Sequence, residues 1–301
     1  MEEKIEKKST WKAGNIPIAV VLITLNEEHN LEGVLDNVKD WAQEVFIVDS
    51  FSQDRTVDIA LDHGVHIIQR KFRGFGDQWN YALNELPITA KWTMKLDPDE
   101  RLSDEIKKNI FDAIQSGLYD GLEFNRRWWL MGTPLPIWDT VLRVWRTGKC
   151  EFSDVSVNEH PMVDGDVKLI NGVMEHLDSP NLHHWIQKQN EYSSSEAVAS
   201  YSKPELSVKP RLLGSSLERR MWLKHHFYKI PGRYQLLFLY FLIYRGLWKA
   251  GKVGYHSAQL WTDVYRWKEL KTLEMKISGQ MSKEIIHGPG KPDSRVKQAI
   301  K

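Results

Sequence analysis

The chain has 301 residues, 42% hydrophobic and 27% charged, which is enough apolar material for one large globular domain with an appendage and excludes a disordered polymer. Lys and Arg number 41 against 40 Asp and Glu, so no global field favours nucleic acid or another polyanion, and any basic site must be local. The single cysteine, Cys150, excludes an internal disulfide and fits a reducing compartment, with packing as its ordinary role.

The first twelve residues carry mixed charges around Ile5 and Trp11 without the apolar core of a secretory signal, so the catalytic part is expected in the cytoplasm. Residues 18–25, Ile18-Ala19-Val20-Val21-Leu22-Ile23-Thr24-Leu25, form a continuous apolar run, the pattern of a parallel strand covered on both faces. Asn26-Glu27-Glu28 then opens a helix in which Leu31, Val34, Leu35 and Val38 recur at helical spacing, and the early acids suit the positive end of its dipole. Glu44-Val45-Phe46-Ile47-Val48-Asp49 predicts a second strand. The polar loop over 50–56 is rich in N-cap residues and leads to a short helix carrying Val57, Ile59, Ala60 and Leu61. A third strand is expected over 65–68, and Trp79, Ala82, Leu83 and Leu86 mark another helix.

The next strand, Trp92-Thr93-Met94-Lys95-Leu96, ends abruptly in Asp97-Pro98-Asp99-Glu100. In an extended chain Asp97 and Asp99 fall on the same side, and Pro98 keeps Asp97 in the β region. Two carboxylates so placed can hold Mn²⁺ or Mg²⁺, whose other ligands come from substrate phosphates. The same Asp-Pro opening also suits a plain type I turn.

Strands alternating with helices predict an α/β fold with a mostly parallel, doubly wound sheet whose ligand site lies beyond the C-terminal strand ends. Asn26, Asp49 and Asp97 all sit at such ends. Asp49 can accept from a nucleotide base or cap a helix. Arg70, Lys71 and Arg73, ahead of Gly74-Phe75-Gly76, can clamp phosphate or belong to a solvated loop.

Together, Leu22-Ile23-Thr24-Leu25-Asn26-Glu27, Val48-Asp49-Ser50 with Asp54-Arg55-Thr56, residues 76–80 and Leu96-Asp97-Pro98-Asp99-Glu100 resemble the family 2 glycosyltransferases, inverting enzymes of the GT-A fold. The order is consistent over about residues 16–200, and Phe51 departs from it by standing where relatives usually carry Gly. Asn125-Arg126-Arg127, Trp138-Asp139-Thr140-Val141-Leu142-Arg143-Val144-Trp145-Arg146, Val157-Asn158-Glu159-His160 and His176 further resemble the branch that adds glucose or related sugars to lipopolysaccharide core or lipid-linked glycans. Relatives there often read His at the position of Asn158.

The resemblance implies roles for individual residues. Asp49 would accept from the base of a UDP-linked donor, with Thr24, Asn26 and Glu27 lining the same pocket and Arg73, Gln78 and Asp97 among the other donor contacts. Asp97 and Asp99 would hold Mn²⁺ or Mg²⁺ across the diphosphate. His176 would be a further ligand or, as a lone histidine beside Glu175, a surface residue. Inverting transfer needs a carboxylate to take the proton of the acceptor hydroxyl. Glu159 matches the family's late acid, with Asp154 and Asp139 as competitors.

Beyond residue 203 the sequence changes. Residues 204–216 turn to Pro, Gly and Ser, a hinge pattern. Over 209–233 seven basic residues, Lys209, Arg211, Arg219, Arg220, Lys224, Lys229 and Arg233, face one acid, Glu218. The apolar run over 234–248 that follows is too short for a confident membrane span, which needs about 20 residues. Its aromatic edges and basic flanks predict a segment lying in an acidic bilayer interface, with a core helix or dimer interface as the alternative. After Gly254 a final helix carries Ala258, Leu260, Trp261, Val264, Tyr265, Trp267 and Leu270, and a frayed polar tail is expected from Ser282.

The expected layout is therefore a flexible N-terminus over 1–15, a GT-A catalytic domain over 16–203, a helical membrane-associating region over 204–281 and a polar tail over 282–301. The expected activity is metal-dependent, inverting transfer of a hexose from a nucleotide sugar to a hydroxyl of a glycolipid acceptor, at the inner face of the cell membrane, with homo-oligomerisation left open. A sugar-nucleotide pyrophosphorylase would normally open with a Gly-rich loop and a catalytic Lys, where this chain has Thr24-Leu25-Asn26-Glu27. A non-catalytic sugar- or lipid-binding protein would not need both Asp97 and Asp99 beside a candidate base. No nucleic-acid partner is expected, because the basic cluster adjoins an apolar run rather than spaced stacking residues.

Overall fold

A computed structural model describes residues 10–153, 160–201, 230–280 and 290–299, together with 211, 213, 219, 226 and 227. Two compact units emerge. One holds the chain up to 128, residues 138–178 and the C-terminal stretch from 286; the other holds 129–137 and 179–285.

The first unit is organised on a sheet that starts with β1 (Ile16–Thr24), β2 (Ala42–Asp49), β3 (His66–Gln69) and β4 (Trp92–Lys95), alternating with α1 (Glu28–Val38), α2 (Thr56–Asp62) and α3 (Phe75–Glu85). β5 (Glu100–Leu102), α4 (Asp104–Ser116), β6 (Gly121–Leu130), β7 (Thr133–Arg146), β8 (Cys150–Phe152), β9 (Pro161–Val163) and β10 (Val167–His176) follow. Among the described residues the large sheet has nine strands in the order β11-β3-β2-β1-β4-β7-β6-β10-β5, where β11 is Lys297–Gln298. Pairing is parallel from β11 through β4 and again between β6 and β10; β7 on β4 and β5 on β10 are antiparallel. The alternating half of the chain thus forms the helix-flanked, mostly parallel α/β sheet its sequence predicts.

The apolar runs account for that core. Ile18, Val20 and Leu22 point to one face with Leu31, Val34, Leu35 and Val38 of α1, while Ala19 and Val21 point to the other with Trp79 and Ala82 of α3. Strand order reverses between β1 and β4, and a parallel sheet opens a crevice at such a point. Residues just after β1 and β4, Asn26 and Asp97, are therefore the ones delivered to it.

Two departures from expectation concern the ends of the domains. The C-terminal tail is not simply frayed: over 290–299 the chain lies along the sheet edge, Val296 is buried in the main core, and β11 extends β3 in parallel. α5 (Leu182–Tyr201) groups with the second unit instead of the first, because it buries Trp185, Ser193 and Ala197 and packs along the last helix, α7 (Gly251–Ser278). Lys271 Nζ secures that packing by donating to Asn190 O at 2.5 Å and Ser193 Oγ at 2.8 Å.

The second unit also contains α6 (Arg233–Leu239), continued by one π-helical turn over Tyr240–Tyr244 and a 3₁₀ turn over Leu247–Ala250. Arg233 forks onto Glu269 of α7, and Phe241 sits edge-on to Trp261 with ring centroids 5.3 Å apart. Among the described residues no helix is long and apolar enough to cross a membrane.

Candidate active site

Register places one set of polar groups side by side. Thr24 lies opposite Asp49, Asp49 opposite Gln69, and Gln69 opposite Gln298, a row across four parallel strand ends. Asp49 is fully buried. One carboxylate oxygen accepts from Thr24 Oγ1 at 2.9 Å and Ser52 Oγ at 2.5 Å; the other accepts from Ser52 N at 2.9 Å and Gln69 Nε2 at 2.8 Å. A carboxylate offers about four acceptor directions, and neutral donors of the protein fill them. Asp49 therefore organises the loop after β2, and accepting from a nucleotide base requires one of these donors to give way. Gln69 is itself oriented, because its amide oxygen accepts from Asp293 N at 2.7 Å and Gln298 Nε2 at 3.1 Å.

The same loop gathers the other residues expected on the nucleoside side. Asn26 has φ 56°, a conformation Asn tolerates; its N–H donates to Ser52 Oγ and its side-chain oxygen accepts from Gln53 N, both at 2.8 Å. Glu27 N–H donates to Thr56 Oγ1 at 2.8 Å, and the Glu27 carboxylate accepts from Asn30 at 3.0 Å. Phe51 has φ 64°, the left-handed region that glycine enters freely and other residues enter at a cost of about 1 kcal/mol. This loop therefore keeps the glycine-type backbone without the glycine. Gln78 is buried, accepts from Arg70 Nη1 at 2.8 Å and donates to Ser50 Oγ at 3.3 Å; Arg70 also pairs with Asp77. Arg73 is exposed.

The end of β4 is built from charge. Asp97 lies between Lys95 Nζ at 3.1 Å and Arg143 Nη2 at 2.9 Å. Burial by itself would raise the Asp97 pKa, but Lys95 and Arg143 outweigh it and hold the group well below the usual carboxylate range. Glu100, fully buried, accepts from Arg143 at 2.5 Å and Arg126 at 3.2 Å, and its other oxygen accepts from Asp97 N at 3.0 Å. Lys95 Nζ also stands 4.1 Å from the centroid of the buried Trp79 ring. Arg126 extends the network to Asp139 at 3.6 Å, and Trp128 Nε1 donates to the same Asp139 at 2.5 Å.

Next to it, Asp99, His176 and Asp178 each offer a ligand atom within 4.8 Å of the others, and all three are buried. β10 sets His176 opposite Glu100 of β5 and Trp128 of β6, and Leu177 N–H donates to Asp99 O at 2.8 Å, which brings the 176–178 turn against the carboxylate strand end. His176 Nε2 is 3.2 Å from Asp99 Oδ2, while Nδ1 is buried with no hydrogen-bond partner. Burial disfavours the charged imidazole, but the Asp99 carboxylate wins and the His176 pKa is raised. Two carboxylates and an imidazole with an unsatisfied ring nitrogen fit a divalent cation.

Of the expected metal ligands, Asp99 and His176 are brought together; Asp97 lies outside that trio, in the grip of Lys95 and Arg143. Asp178 was not anticipated, although His176-Leu177-Asp178 repeats the one-residue spacing of Asp97-Pro98-Asp99. Arg143, Arg126 and Glu100 were also missed as site residues. Glu159 and Asp154 lie outside the described residues. Cys150 is half-buried in β8, and burial pushes its thiol up to about 12, which suits packing.

Residues 19–149 match the family described as Glycosyl transferase family 2. The chain therefore carries a family 2 glycosyltransferase segment. Over 203 residues the chain is 29% identical to a glycosyltransferase of Rickettsia typhi, covering 60% of this chain and 66% of the relative. Over 196 residues it is 26% identical to one of Rickettsia prowazekii, with the same shares of 60% and 66%, so the match spans slightly less than two thirds of either relative. Among solved structures it is similar to TarS 1-349 of S. aureus in complex with UDP, with TM-score 0.43, 13% identity, and coverage of 91% of this chain and 99% of that one.

Proposed function

We propose that the chain transfers a hexose from a nucleotide sugar, a UDP sugar on the resemblance of its motifs, to an acceptor hydroxyl with inversion. The observation that carries this reading is the buried Asp99, His176 and Asp178 trio beside the charged end of β4, at the reversal point of the sheet and against the family 2 segment. A divalent cation, Mn²⁺ or Mg²⁺, held by that trio would neutralise the charge growing on the departing diphosphate. The residues of the chain then divide the remaining work. The loop organised by Asp49, with Thr24, Asn26 and Glu27, shapes the nucleoside side. Asp97, pinned by Lys95 and Arg143, presents a fixed acceptor at the mouth of the cleft.

A carboxylate opposite the leaving group takes the acceptor proton. On the resemblance of its motif Glu159 is the preferred base, with Asp154 and Asp139 as competitors, and Asp139 is already engaged by Trp128 and Arg126. The acceptor in this reading is a glycolipid of lipopolysaccharide core or of a lipid-linked glycan.

The test is to incubate the purified chain with a panel of nucleotide sugars and lipid extract, with and without chelator. Release of one nucleoside diphosphate coupled to sugar incorporation, lost in chelator and restored by Mn²⁺ or Mg²⁺, is expected. Binding of donors without turnover under any metal condition would favour a non-catalytic sugar-binding protein.

A further inference from the structure

The second unit carries a surface that transfer chemistry does not use. Over 236–244 the helical chain buries one side: Phe241 is buried against Trp261, and Phe238 lies edge-on to Tyr255 at 5.4 Å. A surface helix ordinarily turns polar residues to the opposite side. Here Leu236, Leu239, Tyr240, Ile243 and Tyr244, spaced three and four apart, are all exposed, and Trp248 continues the stripe; Ile243 is 61% exposed and Tyr244 79%. Contiguous apolar surface of this kind marks an interaction site.

The charge around it says what kind. From 230 to 262 the chain has Arg233, Arg245, Lys249 and Lys252 and no Asp or Glu. Arg233 is spent on Glu269, whereas Lys249 and Lys252 are exposed and, among the described residues, take part in no ion pair. A second copy would place these cations against one another across a two-fold axis. An anionic bilayer accepts both features at once: apolar and aromatic side chains enter the headgroup boundary while Lys side chains reach the phosphates.

We infer that the stripe formed by Leu236, Leu239, Tyr240, Ile243, Tyr244 and Trp248, flanked by Lys249 and Lys252, docks the full chain onto the surface of an anionic lipid bilayer. The inference rests on this unit's own surface and not on the transfer reading.

The full chain is mixed with vesicles of phosphatidylcholine alone, or of phosphatidylcholine with a minority of phosphatidylserine, and sedimented. Binding to the anionic vesicles only, weakened by salt, is expected. Ile243→Ser with Tyr244→Ser, two changes at exposed positions, should weaken it by tenfold or more, and Lys249→Glu with Lys252→Glu by at least fivefold per residue, the equivalent of ~1 kcal/mol each. Unchanged melting temperatures separate these losses from misfolding. Three results would overturn the inference: no sedimentation with either vesicle, equal binding to both, or a dimer in sedimentation equilibrium that the Ile243→Ser, Tyr244→Ser pair dissociates. No nucleotide sugar is present, so the outcome is independent of catalysis, and Asp99→Asn should bind vesicles like the wild type.

Discussion

The ends of β2 and β4 stand one strand apart across β1 in the same sheet, yet they satisfy their carboxylates by opposite means. Asp49 is held by four neutral donors, from Thr24, Ser52 and Gln69. Asp97 and Glu100 are held by Lys95, Arg143 and Arg126. Neutral hydrogen bonds are directional and contribute about 1 kcal/mol each, so they fix the shape of a loop. Ion pairs removed from water are costly to assemble and costlier to break, and they fix how much charge a cleft carries. The β2 end is thus a matter of geometry and the β4 end a matter of charge.

The largest expected effect comes from taking charge away from the trio beside β4. Asp99→Asn keeps the size of the side chain and the His176 contact but removes one anionic ligand. If the trio holds the cation that answers the leaving diphosphate, transfer falls by about a thousandfold, several kcal/mol of transition-state stabilisation, while the far-ultraviolet circular dichroism spectrum is unchanged. Asp97→Asn, outside the trio, should leave metal affinity by calorimetry within a few fold of wild type. Equal loss of metal binding in both variants would return Asp97 to the ligand set.

Next in size is Arg143→Ala. It strips a shared cation from Asp97 and Glu100, and breaking a buried pair this way costs about 3–5 kcal/mol. The pH dependence carries the sign. Asp97 has a depressed pKa in the folded chain, so its pairing stabilises above the unfolded carboxylate value of about 4 and is lost as pH falls through the lower folded value. The stability gap between wild type and Arg143→Ala, measured by urea unfolding, should therefore be widest near neutrality and narrow in acid. A gap that is independent of pH would mean that Arg143 contributes packing and not charge.

Legibility of this site in the sequence followed the range of the interactions. The strand ends carrying Asn26, Asp49, Asp97 and Asp99 are set by local apolar runs and are visible one residue at a time. Arg143 is not, because its meeting with Asp97 depends on antiparallel pairing of β7 with β4, in which Met94 faces Val144, a register that no local pattern encodes. Asp178 sits past a strand end at φ 50°, on the turn whose Leu177 N–H donates to Asp99 O, a contact between distant parts of the sequence. β11 has two residues, too few to show periodicity, and so a segment that covers the sheet edge looked like a polar tail.

The smallest effect, and the one that tests the geometric half of the comparison, is expected at Gln69. Its amide oxygen is held by Asp293 N and Gln298 Nε2, and this fixes the amide nitrogen toward Asp49 Oδ2. The C-terminal strand therefore reaches the loop after β2 through one side chain. Gln69→Leu preserves approximate volume but leaves a buried acceptor on Asp49 and a donor on Asp293 unmatched, at a cost of about 1–3 kcal/mol. The loop over 50–56 should loosen without any change in the charge at β4. Donor affinity, followed by calorimetry with the nucleoside diphosphate, should fall by about tenfold, the equivalent of ~1.4 kcal/mol, while kcat at saturating donor and the metal affinity stay near wild type. Deleting the chain from residue 290 onward should reproduce that pattern, since it removes the groups that orient the amide. If Gln69→Leu instead lowers kcat and metal affinity together, the two strand ends are coupled, and the division between a shape-setting end and a charge-setting end does not hold.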